Sequence, residues 1–77
     1  MSIKSYCYVM TALTNDAVSS VKAIIFNEKL MAKAAVLKTH SGINTMEIVV
    51  SDEGTMKFIV TLFEKRTGHK LTYVEDK

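Results

Sequence analysis

The sequence predicts a small α+β domain in which two helices cover one face of an antiparallel sheet. The chain has 77 residues, and this length predicts a single compact domain over residues 1–77. Hydrophobic residues make up 48% and charged residues 23%, a balance that is typical of globular rather than disordered chains. A strand, a capped helix and a second strand can be identified in each half of the chain. This repetition predicts the element order β-α-β-β-α-β.

The first half begins with a strand and continues with a helix. Ile3 to Leu13 is rich in β-branched and aromatic residues, which favour strands. Side chains alternate between the two faces of a strand, so we expect one face to carry Cys7, Val9, Thr11 and Leu13 and the other to carry Tyr6, Tyr8 and Met10. Thr14-Asn15-Asp16 supplies a helix cap and an acid for the positive end of the helix dipole. Apolar residues at helical spacing then continue to about Phe26.

The second half repeats this pattern. Ile43 to Val50 ends in an apolar run that predicts a buried strand, and Ser51-Asp52-Glu53 caps the next helix. The buried face of that helix is predicted to carry Met56, Ile59, Val60 and Phe63. Gly68 is placed to end the helix in a left-handed conformation. Leu71 to Val74 is predicted to form the last strand.

The segment between the halves allows two interpretations. Residues 28–40 contain good helix formers, and a helix there would give β-α-α-β-α-β. The internal repetition instead predicts a strand from Ala34 to His40, paired with the next strand through a turn at Ser41-Gly42. We favour the strand, which makes the fold ferredoxin-like.

The composition excludes several classes of function. The formal net charge of +2 supports neither a dedicated binder of nucleic-acid backbone nor an acidic mimic of DNA. Cys7 is the single cysteine, so no internal disulfide and no all-cysteine metal site can form, and we expect it to behave as a small hydrophobe. Neither His40 nor His69 has a carboxylate placed to orient it, and no glycine-rich phosphate loop is present. We therefore expect a protein that is not an enzyme and has no catalytic residues, cofactor or metal.

Two surfaces are candidates for contact with partners. If the helices cover the face that carries Cys7, then Tyr6, Tyr8 and Met10, with Tyr73 of the last strand, form an open interaction surface. Stacking of single-stranded bases on these tyrosines is a less favoured reading, because the third strand carries no aromatic residue. A basic cluster, which could contact an anion or an acidic partner, consists of Lys65, Arg66, His69 and Lys70.

Several segments resemble the small ligand-sensing domains of the ACT type, including the effector domains of leucine-responsive regulators. The resemblance is carried by Tyr8-Val9-Met10, the first capped helix, His40-Ser41-Gly42 before Ile48-Val49-Val50, and Gly68-His69-Lys70-Leu71. It implies a ferredoxin-like fold, a regulatory role and dimerisation.

The function predicted from the sequence is a non-enzymatic binding or regulatory module. We expect it to form a homodimer and to contact a protein or a small ligand, because a chain this short buries little core by itself. The alternatives are a small inhibitor of the phage or mobile-element type that covers a host protein, and a binder of single-stranded nucleic acid. No segment has the roughly 20 apolar residues that cross a bilayer, no signal peptide is evident, and we expect a cytoplasmic location.

Overall fold

The computed structural model describes residues 5–76, which form a four-stranded antiparallel sheet and two helices. The elements in chain order are β1 (Tyr6–Leu13), α1 (Asn15–Asn27), β2 (Ala32–His40), β3 (Ile43–Val50), α2 (Glu53–Thr67) and β4 (Tyr73–Glu75). The strands are arranged in the order β2-β3-β1-β4. This is the predicted ferredoxin-like arrangement. The predicted first strand began at Ile3, which lies outside the described residues.

The ambiguous middle segment forms a strand, so the helical alternative for residues 28–40 is wrong. Helix α1 ends because Lys29 adopts a left-handed conformation (φ 53°), after which the Leu30 N–H donates to the carbonyl of Ile25 at 3.0 Å. This arrangement closes the carboxyl end of a helix and turns the chain out of it. The predicted turn is also confirmed, because Ser41 and Gly42 both have positive φ, as the tightest two-residue hairpins require.

Both helices begin at the predicted caps. The Thr14 hydroxyl accepts a hydrogen bond from the Ala17 N–H at 3.2 Å, and the Asp52 carboxylate accepts one from the Thr55 N–H at 2.8 Å. Each bond satisfies a backbone donor that the first turn of a helix leaves free. Gly68 ends α2 in the left-handed conformation, as predicted.

The prediction of which face of β1 the helices cover is wrong. Tyr8 and Met10 lie in the core, with 7% and 0% of their surfaces exposed, and Tyr6 and Tyr73 pack against that core. Both parities of β1 contain apolar residues, so alternation alone did not identify the inner face. The partner strand β3 resolves it, because Met46, Ile48 and Val50 are buried and lie opposite Met10, Tyr8 and Tyr6.

Two β-bulges interrupt the pairing opposite Thr45 of β3, one in β1 and one in β2. On β1 the pairing passes from Met10↔Met46 to Leu13↔Asn44, so two residues, one of them Ala12 with φ 59°, oppose Thr45 alone. On β2 the pairing passes from Val36↔Met46 to Lys38↔Thr45, which leaves Leu37 as the extra residue. A bulge changes the parity of the strand beyond it. Leu13 is therefore buried, although alternation predicted it on the face of Cys7.

Asn44 is a buried polar residue that connects three elements beside these bulges. Its side-chain amide donates to the Leu13 carbonyl at 2.9 Å and to the Asn15 Oδ1 at 3.0 Å, and its own Oδ1 accepts from the Thr39 hydroxyl at 2.6 Å. The three bonds join β3 to β1, to the start of α1 and to β2. Asn44 thus fixes the end of the sheet at which α1 begins.

The core lies between the two helices and the sheet. On the predicted inner face of α2, Met56, Ile59 and Phe63 are buried and Val60 is half-buried. The buried apolar side chains are Tyr8, Met10, Leu13, Val21, Ile24, Met46, Ile48, Val50, Met56, Ile59, Phe63 and Leu71.

Candidate functional site: the bare face of the sheet

The side of the sheet opposite the helices is uncovered within residues 5–76, and we refer to it as the bare face. Residues that pair directly across an antiparallel sheet share a face, so the pairing of the four strands identifies its members. They are Cys7, Val9, Lys33, Ala35, Lys38, Thr45, Glu47, Val49, Val74 and Asp76.

The bare face is arranged in rows that run across the strands. One row contains Lys33, Val49, Cys7 and Asp76, the last placed by a 2.8 Å hydrogen bond from its N–H to the Cys7 carbonyl. The next row contains Ala35, Glu47, Val9 and Val74. The centre of the face is therefore largely apolar, and the half-buried valines lie on its two inner strands.

Charge is distributed unequally over the bare face. The cations Lys33 and Lys38 lie on the outer strand β2, whereas the anions are Glu47 on β3 and Asp76 just after β4. The side-chain ligand atoms of Cys7, Glu47 and Asp76 all lie within 4.8 Å of one another. One edge of the face is thus basic, Asp76 lies at the opposite edge, and Glu47 lies on the inner strand next to β2.

The acidic surroundings affect the thiol of Cys7. Burial, a hydrogen bond with Glu47 and the negative charges of Glu47 and Asp76 together raise the pKa of the Cys7 thiol to about 11. At neutral pH only about one such thiol in ten thousand is ionised. The thiol in this state is a poor nucleophile, because the thiolate is the reactive form.

The predicted tyrosine surface is not on the bare face. Tyr8 is buried, and its ring packs edge-on against that of Tyr73, with centroids 5.6 Å apart and an interplanar angle of 79°. Stacking of bases on a buried Tyr8 would require the core to open. The hypothesis of nucleic-acid binding therefore loses the exposed tyrosine face on which it depended. The interaction surface predicted from Tyr6, Tyr8, Met10 and Tyr73 is corrected for the same reason: these residues hold the helices on the sheet.

The structure brings together two of the four residues of the predicted basic cluster. His69 and Lys70 line a cavity of about 300 Å³ beside Leu13, Phe63 and the start of α1. Lys65 and Arg66 are exposed in the last turn of α2 and do not line this cavity. Contact of the cluster with an anion stays a prediction.

The sequence of β3 contains a signal that identifies the bare face, although the alternation of residues in β1 does not. In β3 the buried positions Asn44, Met46, Ile48 and Val50 alternate with Thr45, Glu47 and Val49. A charged residue in the middle of a central strand indicates the uncovered face. Glu47 therefore identifies Thr45, Glu47 and Val49 as the residues of β3 on the bare face. Strand pairing then assigns Cys7 and Val9 to the same face.

Neither α1 nor α2, the helices of the described chain, is long and apolar enough to cross a membrane. Comparison of the chain with protein-family models, curated proteins and solved structures found no match.

Proposed function

We propose that this chain is a non-enzymatic module that self-associates through the bare face. The observation that carries the proposal is an uncovered sheet face with a largely apolar centre, lysines along one edge and Asp76 at the other. Apolar patches with charged borders are typical of protein contact sites. A second copy of the chain is the partner that this distribution fits best, because the row with a lysine at one edge and an aspartate at the other complements itself.

The complementarity follows from symmetry. In a face-to-face pair with a twofold axis parallel to the strands, β2 of one copy lies over β4 of the other. Lys33 then approaches Asp76 of the second copy, and Val49 approaches the second copy's Cys7, because Lys33, Val49, Cys7 and Asp76 share one row. Two sheets packed in this way form a sandwich with strands nearly aligned.

The area of the face sets the strength of association that we expect. Strands of 8, 9, 8 and 3 residues, at about 16 Å² of sheet per residue, present about 450 Å² of flat area per copy. A pair would bury about 900 Å², which is at the small end of interface sizes, where complexes are weak and transient. Association should therefore depend strongly on protein concentration.

Analytical ultracentrifugation over about 1 µM to 1 mM protein tests the proposal. Val9→Lys places a charge in the apolar centre and should abolish association while the circular dichroism spectrum stays native. Phe26→Lys is the matched control, because Phe26 is 82% exposed on α1, away from the sheet, and it should associate like the unaltered chain. A chain that stays monomeric throughout, or a Phe26→Lys variant that alone dissociates, would overturn the proposal.

Charge reversal tests the arrangement within the pair. Lys33→Glu should weaken association, and the double variant Lys33→Glu, Asp76→Lys should restore it, because opposite charges again meet across the interface. If the double variant associates no better than Lys33→Glu, the two strands do not face each other in this way.

A further inference from the structure

Three side chains with metal-binding atoms converge on the bare face from three different strands. Cys7 lies on β1, Glu47 on β3 and Asp76 directly after β4, and their ligand atoms are all within 4.8 Å of one another. Sheet pairing fixes the backbone beneath them: Cys7 lies opposite Val49, and the Asp76 N–H donates to the Cys7 carbonyl. The donors are thus positioned by a rigid element of the fold.

The cluster lacks a compensating positive charge from the part of the chain that the structure describes. Within residues 5–76, neither Glu47 nor Asp76 forms an ion pair with a lysine, arginine or histidine. The two carboxylates and the thiol face one another, with their ligand atoms within 4.8 Å. A bound cation would neutralise both carboxylates and allow the thiol to ionise.

We infer that Cys7, Glu47 and Asp76 bind one divalent transition-metal ion of borderline softness, with zinc as the best fit. One sulfur and two carboxylate oxygens suit zinc, whereas magnesium and calcium prefer oxygen ligands alone. Around a tetrahedral zinc ion, with bonds of about 2.0–2.3 Å, neighbouring ligand atoms are about 3.3–3.8 Å apart. The cluster reaches this spacing if its atoms approach by roughly 1 Å, a movement within the rotamer freedom of a glutamate and an exposed aspartate. The fourth position is left for water.

Binding has a defined proton balance. The Cys7 thiol gives one proton to solvent as its sulfur bonds to the metal. One proton is therefore released for each ion bound, and affinity rises with pH up to the range in which the free thiol itself ionises.

Titration with Co²⁺, followed by displacement with Zn²⁺, tests the inference. We expect a thiolate-to-cobalt charge-transfer absorption at one equivalent, release of one proton per ion in weakly buffered solution, and slower alkylation of Cys7 once Zn²⁺ is present. Cys7→Ser should abolish the absorption, and Glu47→Gln and Asp76→Asn should each weaken binding at least about tenfold.

Glu75→Gln is the matched control for these variants. Glu75 is the acid next to Asp76, but it lies opposite Tyr8 and therefore belongs to the other face of the sheet, so it should bind Co²⁺ like the unaltered chain. The inference is overturned if no thiolate absorption develops. It is equally overturned if Glu47→Gln and Asp76→Asn bind as the unaltered chain does, because the metal would then be held by Cys7 alone.

The metal site does not depend on self-association, and the two proposals can fail separately. All three ligands belong to one copy, so titration at a concentration where the chain is monomeric measures the site alone. In the proposed pair, Lys33 of the second copy approaches Asp76, one of the three ligands, so Zn²⁺ should shift sedimentation toward the monomer. A chain that binds Co²⁺ but never associates overturns the proposed function and supports the site.

Discussion

Replacing Asn44 by alanine should be among the most damaging single changes to a polar residue of this chain. Asn44 is 4% exposed, and its amide donates 2.9 Å and 3.0 Å hydrogen bonds to the Leu13 carbonyl and the Asn15 side chain. The variant leaves the Leu13 carbonyl without this donor, and an unsatisfied buried polar group costs about 1–3 kcal/mol. With the packing lost at the site, we expect the free energy of unfolding to fall by about 2–3 kcal/mol.

This loss is large for so small a domain. A chain of this length has a total stability of roughly 4–12 kcal/mol, and each kcal/mol shifts its melting temperature by about 4–8 °C. Asn44→Ala should therefore lower the melting temperature by about 10–20 °C. Urea denaturation followed by circular dichroism measures the free energy, and calorimetry measures the melting temperature.

Two further variants separate hydrogen bonding from packing. Thr45→Ala changes the next residue, whose side chain lies on the bare face, and should cost less than about 0.5 kcal/mol. Asn44→Asp keeps the shape but turns a carboxylate oxygen toward the Leu13 carbonyl, so it should be as damaging as alanine at pH 7. A loss below about 0.5 kcal/mol for Asn44→Ala would refute the role given to this residue.

The remaining predictions concern a helix end, the faces of β1 and alkaline pH. Lys29→Gly should raise the free energy of unfolding by about 0.5–1 kcal/mol, because glycine adopts the left-handed conformation without strain. Lys22→Gly, inside α1, should lower it by about 1 kcal/mol. Urea denaturation of the two variants measures both changes. Tyr8→Lys should prevent folding and Val9→Lys should not, as near-ultraviolet circular dichroism will show; the opposite result would mean that the sheet faces the other way. The folded chain holds the Cys7 proton more tightly (pKa about 11) than the unfolded chain does (9.0), so stability is fully present below pH 9 and is lost as pH rises toward 11. Cys7→Ala should reduce this alkaline loss in melts recorded with a chelator, and an unchanged pH profile would contradict the assigned pKa.

Local signals in the sequence were sufficient for the order of the elements, although the last strand is Tyr73–Glu75 rather than Leu71 to Val74. Thr14, Asp52 and Gly68 lie at helix ends because their side chains or backbone freedom satisfy groups that any helix leaves free. The Ser41-Gly42 turn follows from the same kind of local chemistry. The repetition of strand and capped helix was sufficient to favour a strand over the helix that residues 28–40 also permit by propensity.

The faces of the sheet depended on information that lies far apart in the chain. The parity of β1 is ambiguous because a tyrosine face and a cysteine–valine face are both apolar enough to be buried. Glu47 resolves it only after β1 and β3 are paired, and Leu13 then departs from alternation because of the bulge at Ala12. Glu47 and Asp76 meet Cys7 for the same reason: the cluster exists only in the paired sheet.

The paired bulges beside Thr45 also determine which single-residue deletions the chain can tolerate. Deleting Ala12 would restore regular pairing in β1 with Leu13 still opposite Asn44, and it would remove a residue held at φ 59°. Deleting Leu37 would likewise restore regular pairing in β2 and leave Lys38 opposite Thr45. Homologous chains that differ in length within the sheet should therefore gain or lose residues at positions 12 and 37, where one residue is extra to the pairing.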